Sequence, residues 1–178
     1  WGGAAALDHK LCCMRRRLGL WFWLCMGTGT WCQTNPLLRS CLDSCDMAEA
    51  AGSYVDALRF AERAVRQATE LQDSLVLAAV LVRRSEVRQF NGDLSGALLD
   101  LHKAQVLYDH ARDKVGLATV YNALGAIHYY DGDLQRAREY YMRSLEFRKR
   151  HGVPTDLAIV YGNLGSVHEE LGAYDSAL

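Results

Sequence analysis

The chain has 178 residues, half of them apolar, and carries 20 basic against 21 acidic side chains for a formal net charge of −1. That apolar content is enough to build a core, and the near-neutral balance gives no general attraction for nucleic acid. Removing Lys10, Arg15, Arg16, Arg17 and Asp8 with the first 32 residues leaves 16 basic and 20 acidic residues, net −4, which moves the remainder further from nucleic-acid binding.

Residues 1–13 precede the first methionine and read as upstream or non-native sequence. Met14 then opens a run ordered like a secretory leader: Arg15-Arg16-Arg17, the apolar stretch Leu18 to Met26, and small residues from Gly27 to Thr30. A cut after Cys32 would place Thr30 and Cys32 at the two positions a signal peptidase inspects and start the mature chain at Gln33. The alternatives are a membrane anchor or a buried helix, and the run falls short of the ~20 apolar residues a spanning helix needs. Trp31, directly before Cys32, argues against a lipid anchor. A signal peptide at 14–32 implies an exported, periplasmic or cell-envelope protein, and without it the chain is cytoplasmic. The chain also starts at Trp1 and stops at Leu178, so it reads as a fragment.

Of six cysteines, only Cys41 and Cys45 follow the leader. Their i,i+4 spacing places both on one helix face, where a disulfide would strain the helix. No His or Cys nearby supplies two more zinc ligands. Two small packed thiols are the plain reading, and an oxidising compartment leaves a bridge to another molecule open.

After a short polar lead-in at 33–37, the chain repeats. Gly52, Gly92, Gly132 and Gly172 stand forty apart, as do Ala57, Ala97, Ala137 and Ala177. A period of this length means stacked helical hairpins rather than a globule, because one hairpin cannot bury its apolar face alone. Residues 38–178 hold about four such units, the last truncated. The first is atypical, with Cys41 and Cys45 at positions that later carry an aromatic residue and a glycine, and suits a capping role. The second has Arg84 and Ser85 where leucine and glycine recur, but keeps the turn Asn91-Gly92-Asp93 and Ala97, Leu101 and Ala104. The third reads Tyr121-x-x-Leu124-Gly125-x-x-His128, then Gly132-Asp133 and Ala137-x-x-x-Tyr141. The fourth reads Tyr161-x-x-Leu164-Gly165-x-x-His168, then Gly172 and Ala177.

These last two units resemble the tetratricopeptide repeat, with Tyr for Trp and His for Tyr at the two aromatic positions. The stretch Tyr161-Gly162-Asn163-Leu164-Gly165 is similar to the forty-residue form of kinesin light chains and bacterial signalling arrays. The resemblance implies an all-α, right-handed superhelical solenoid of antiparallel helix pairs. Gly125 and Gly165 are expected to let the partner helix approach, Gly132 and Gly172 to make the turns, and Ala137 and Ala177 to sit where helices cross. The six residues beyond the common 34 are expected in a longer second helix and a longer loop, seen at Arg150 to Asp156, where Gly152 and Pro154 stop the helix.

No catalytic, cofactor-binding or metal-binding residue emerges. His128 and His168 face the same way one repeat apart, but helices stacked roughly 10 Å apart hold two imidazoles too far from each other to share a zinc. Asn91-Gly92-Asp93 and Asp131-Gly132-Asp133 lack the remaining ligands of a calcium loop and read as turns with a helix-capping Asp. Gly27-Thr28-Gly29 follows no strand and is no phosphate cradle. No motif sets a nucleophile beside a base. The basic run Arg148-Lys149-Arg150-His151 reads as a solvated helix end, favoured by the helix dipole.

What the resemblance does imply is a groove lined by the first helix of each hairpin. Its positions fall on Arg83, Glu86, Gln89 and Phe90, on Asn122, Ala126, Tyr129 and Tyr130, and on Asn163, Ser166, Glu169 and Glu170. The amides suit an extended peptide backbone, and Phe90, Tyr129 and Tyr130 supply aromatic anchors, although one of the two tyrosines is as well explained by packing on the next hairpin. The Lys and Arg pattern that clamps a terminal carboxylate in some family members is absent. With Glu169 and Glu170 at one side and Arg83 at the other, a mixed-charge or basic peptide is expected. Three functions follow: an exported module binding a protein or peptide; the sensor region of a larger bacterial signalling protein, tethered through a membrane helix beyond Leu178 to a kinase, cyclase or DNA-binding output; or a cytosolic scaffold.

Overall fold

The computed structural model describes residues 35–151 and 157–177. The expected leader at 14–32, the cut before Gln33 and the Gly152–Pro154 helix stop lie outside the described residues, as do the side chains beyond Gly172 and with them that of Ala177. Seven helices follow one another: α1 (Pro36–Ala50), α2 (Tyr54–Glu70), α3 (Ser74–Phe90), α4 (Leu94–His110), α5 (Lys114–Tyr130), α6 (Leu134–His151) and α7 (Leu157–Ala177). From α1 to α6, connections of three residues return each helix antiparallel to the one before. The result is an all-α solenoid.

A side-chain cap sets the start of five of the helices, whereas Ser53 before α2 makes no such bond. Asn35 accepts from the amides of Leu37 and Leu38, and Pro36 occupies the first turn, where no N–H is needed. The first helix therefore begins inside the lead-in expected at 33–37. Asp73, Asp93, Asp113 and Asp133 accept amide hydrogen bonds from the helices they precede, at twenty-residue steps.

Helices α1 to α5 also end alike. Backbone φ turns positive at Gly52, Gln72, Gly92, Arg112 and Gly132, again every twenty residues. At Gly92 the amide of Asp93 returns to the Arg88 carbonyl (2.8 Å) and that of Gly92 to Gln89 (3.0 Å), closing the helix in the left-handed turn that glycine adopts most easily. Gln72 and Arg112, at φ 54° and 56°, take the same turn between hairpins with roughly 1 kcal/mol of strain.

Two expectations are corrected. From Tyr54 to Asp133 every helix has 17 residues and every connection three, so the extra length lies in both helices and no longer loop separates the hairpins at 71–73 or 111–113. Gly172 makes no turn, because α7 runs through it to Ala177. Among the described residues no second helix returns against α7, and a glycine inside a helix costs only about 1 kcal/mol, so the helix simply continues. For the same reason Gly165 faces open space, whereas a Cβ on Gly125 would lie 2.6 Å from the Tyr141 ring.

The core is a series of layers. Ala78, Leu81 and Val82 of α3, Leu101 and Tyr108 of α4, and Leu117, Val120 and Ile127 of α5 form the largest. Leu134, Tyr141 and Leu145 with Val160, Leu164 and Val167 form the next. First helices of neighbouring hairpins approach each other, α3 with α5 and α5 with α7, and no equally close approach joins the second helices. The first helices therefore line the concave side.

Equivalent positions across the repeats compensate one another. Residues 45, 85 and 125 of the first helices are Cys, Ser and Gly, while the second-helix positions 61, 101 and 141 are Ala, Leu and Tyr, and all six are buried. One side shrinks as the other grows. Cys45 is fully buried among Ala57, Ala61 and Val87, and desolvation raises its pKa to about 11, so this free thiol is inert packing.

A second node switches chemistry. In the third repeat, half-buried Leu124 accompanies His128, which stacks on Tyr140 with ring centroids 5.3 Å apart. The same positions in the second repeat are Arg84, Arg88 and Asp100. Asp100 is fully buried and accepts from Arg84 Nε (2.7 Å) and Nη2 (2.5 Å), with Arg88 Nη1 at 3.1 Å. Arg88 also donates to the Gly96 carbonyl at 2.9 Å, but its buried Nε, 3.6 Å from Asp93, makes no hydrogen bond. The departure at Arg84 is thus matched by Asp100 on the facing helix.

Candidate functional site

On the concave side the first helices enclose a cavity of about 470 Å³. Nine of the twelve residues expected in the groove line it: Arg83, Glu86, Gln89 and Phe90 from α3, Ala126, Tyr129 and Tyr130 from α5, and Asn163 and Ser166 from α7. Asn122, Glu169 and Glu170 do not. Asn122 lies just behind, accepting from Asn163 Nδ2 at 3.0 Å, so each amide has committed one of its polar atoms to the other. Asn163 Oδ1 and Asn122 Nδ2 remain for a ligand. Glu170 accepts the Tyr129 hydroxyl, and Glu169 is exposed beside it on the same helix.

The lining also includes Tyr141, a residue of α6 outside the expected groove set. It is buried at 2% exposure and crosses α5 over the gap left by Gly125. Desolvation raises its pKa well above the ordinary phenol value.

Aromatic rings form a ladder along the groove edge. Tyr54, at the start of α2, stacks on Phe90 at 5.6 Å, Phe90 meets Tyr130 edge-on at 6.3 Å, and Tyr130 meets Tyr129 edge-on at 5.7 Å. Phe90 and Tyr130 are 52% and 65% exposed, while Tyr129 packs against the α6–α7 layer and gives its hydroxyl to Glu170, which raises its pKa. Of the two adjacent tyrosines, Tyr129 is the packing residue and Tyr130 faces solvent.

The charge at Arg83 differs from its expected role as the groove's basic side. Its guanidinium binds Asp46 (2.7 Å), Glu86 (3.1 Å) and both carboxylate oxygens of Glu49. Burial alone would lower the Arg83 pKa, but the hydrogen bonds to Glu49 and Asp46 more than offset it and the net direction is up. Three carboxylates surround one cation, so this end of the groove is acidic. Burial also raises the Glu86 pKa, with Arg83 opposing. Asp46 and Glu49 lie in the weakly patterned first repeat, forty residues before the groove positions Glu86 and Gln89.

Of the paired histidines, only His128 is packed, against Tyr140. His168 is exposed on α7, and the described residues contain no group of three or more His, Cys, Asp or Glu arranged to hold a metal. No described helix is long and apolar enough to cross a membrane. The basic run is not uniformly solvated. Arg148 is 5% exposed and bonds Ser144 and Thr119, Lys149 sits 5.4 Å over the Tyr161 ring, and Arg150 pairs with Glu146 at 2.7 Å. Arg148 is drawn in because hydroxyls of Ser144 on its own helix and Thr119 on α5 accept from its guanidinium.

Stacked antiparallel hairpins with an open groove of first-helix side chains define a helical-repeat solenoid, the architecture of scaffolds that hold other proteins. The tetratricopeptide repeat model matches residues 76–150 and 116–178, more than half of the chain. The chain belongs to the tetratricopeptide repeat family, whose arrays are in general non-catalytic protein-interaction modules. Among solved structures it is similar to BtubC (BKLC) from P. vanneervenii, with TM-score 0.63 and 22% identity over 79% of this chain and 58% of that one. It is also similar to the Sgt2 TPR domain from Aspergillus fumigatus, with TM-score 0.57 and 16% identity over 80% and 83% of the two chains. No curated protein matches. The chain spans 58% of the length of BtubC, and both likenesses concern the fold.

Proposed function

We propose that this array holds an extended segment of a partner protein in its concave groove and performs no chemistry of its own. The observation that carries the reading is the convergence of nine residues from three consecutive first helices on one cavity edged by solvent-facing Phe90 and Tyr130. Large rigid rings with partly exposed faces are the side chains that dominate binding energy at interfaces, and Asn163, Ser166 and Gln89 offer hydrogen bonds to a peptide backbone. The test is selection of random dodecapeptides on the 178-residue protein. Recovered peptides should bind the Phe90→Ala/Tyr130→Ala variant at least about tenfold more weakly and the convex Leu99→Ala variant unchanged. Peptides indifferent to Phe90 and Tyr130 would refute the groove.

The sensor form of this proposal rests on the leader-like run from Met14 to Thr30. It requires ~20 apolar residues encoded after Leu178, and a gene without them excludes it.

A further inference from the structure

We propose that the groove selects a lysine- or arginine-rich segment, its cationic side chains seated against the exposed rings of Phe90 and Tyr130 between the carboxylates around Arg83 and the Glu169–Glu170 pair. The inference rests on the groove reading above and adds the chemistry of the occupant. Arg83, the one cation lining the cavity, is bound by Asp46, Glu49 and Glu86, so it has no unmet charge to offer an anion. Arg84 and Arg88, on the same helix, turn away to buried Asp100. At the far end Glu170 holds the Tyr129 hydroxyl, with Glu169 beside it. Five carboxylates therefore border the site against one guanidinium.

The rings between them suit the same ligand. The negative face of an aromatic ring attracts an ammonium or guanidinium group, and Phe90 and Tyr130 remain 52% and 65% exposed despite their mutual contact. An acidic segment would meet only repulsion along this path, and a neutral one would leave the carboxylates unmatched. Burial disfavours the ionised form of Glu86, and a docked cation would relieve that penalty.

The test uses three fluorescent dodecapeptides on the 178-residue protein: one with five lysines spaced by serine and glycine, the same peptide with every lysine acetylated, and one with glutamate at those positions. Anisotropy should show the lysine peptide binding at least about tenfold more tightly than the acetylated one, with affinity falling as salt rises. Glu86→Gln with Glu170→Gln, and separately Phe90→Ala with Tyr130→Ala, should each weaken it by about tenfold. Circular dichroism on each variant checks that the helices persist. Equal or tighter binding of the acetylated or glutamate peptide, lost on Phe90→Ala/Tyr130→Ala, overturns the cationic occupant and leaves the groove standing. A lysine preference indifferent to both variant pairs overturns the seat, because diffuse surface charge then explains it. Absence of binding by all three overturns the inference, and the random selection then decides on the groove.

Discussion

Asp100→Ala is the most informative single change to stability. The carboxylate is fully buried and serves two guanidinium groups, Arg84 at 14% and Arg88 at 18% side-chain exposure. Removing it leaves two cations, one turn apart on α3, facing α4 with no carboxylate between them. Breaking a buried pair by deleting one partner costs about 3–5 kcal/mol. Arg88 keeps its bond to the Gly96 carbonyl, and both cations retain some water, so the lower end, about 3 kcal/mol, is expected. The control imports the third repeat's solution: Arg84→Leu, Arg88→His and Asp100→Tyr together reproduce the Leu124, His128 and Tyr140 set. Replacing a buried ionic group by well-packed apolar residues is often neutral or stabilising by about 1–4 kcal/mol, so the triple variant should at least match the parent. Urea denaturation followed by circular dichroism reads both, with slopes compared because repeat arrays can lose all-or-none behaviour. A loss below about 1 kcal/mol for the single variant, or a triple variant as weak as the single, would show that this node is not the electrostatic clamp described.

Two further outcomes follow from the same geometry. Gly125→Ala drives a Cβ to 2.6 Å from the Tyr141 ring and should destabilise by about 1–3 kcal/mol; adding Tyr141→Leu, the pairing used at Ser85 and Leu101, should restore most of it in the same denaturation assay. For Glu86 the folded pKa is raised, so its ionisation opposes folding: the parent is least penalised below the unfolded value of about 4.3 and loses stability as pH climbs from there through the raised folded value. Glu86→Gln should therefore gain on the parent across that window and hold a constant difference above it, while a difference flat from pH 4 upward would contradict the assignment.

The repeat was legible because glycine and alanine mark it where geometry allows little else: Gly92 and Gly132 occupy the left-handed turns, and Ala97 and Ala137 are fully buried at the crossings. Nine groove positions followed from that register. What escaped depended on pairs distant in sequence. Arg84 reads as a defect until Asp100, sixteen residues on, is placed against it, and the clue was that Leu124 and Tyr140 change together at the same spacing. Tyr141 enters the groove only because Gly125 leaves room. Asp46 and Glu49, which reverse the sense of Arg83, stand forty residues before Glu86 and Gln89, so the period did place them at the groove, in a repeat too atypical for the groove positions to be carried onto it. Gly172 holds the turn position of the period yet lies inside α7, where a glycine costs only about 1 kcal/mol.

The left-handed residue recurs every twenty positions, whereas the side-chain pattern recurs every forty. Backbone geometry alone does not mark where a hairpin begins, since the turns at Gln72 and Arg112 match those at Gly92 and Gly132. Gain or loss of twenty residues would restore every turn yet bring a second helix, with its outward-facing charges, onto the concave side. Gain or loss of forty, begun at any residue, restores turn and face together. Length variation among arrays built this way should accordingly come in whole forties, enforced by side chains on a backbone that would tolerate half that step.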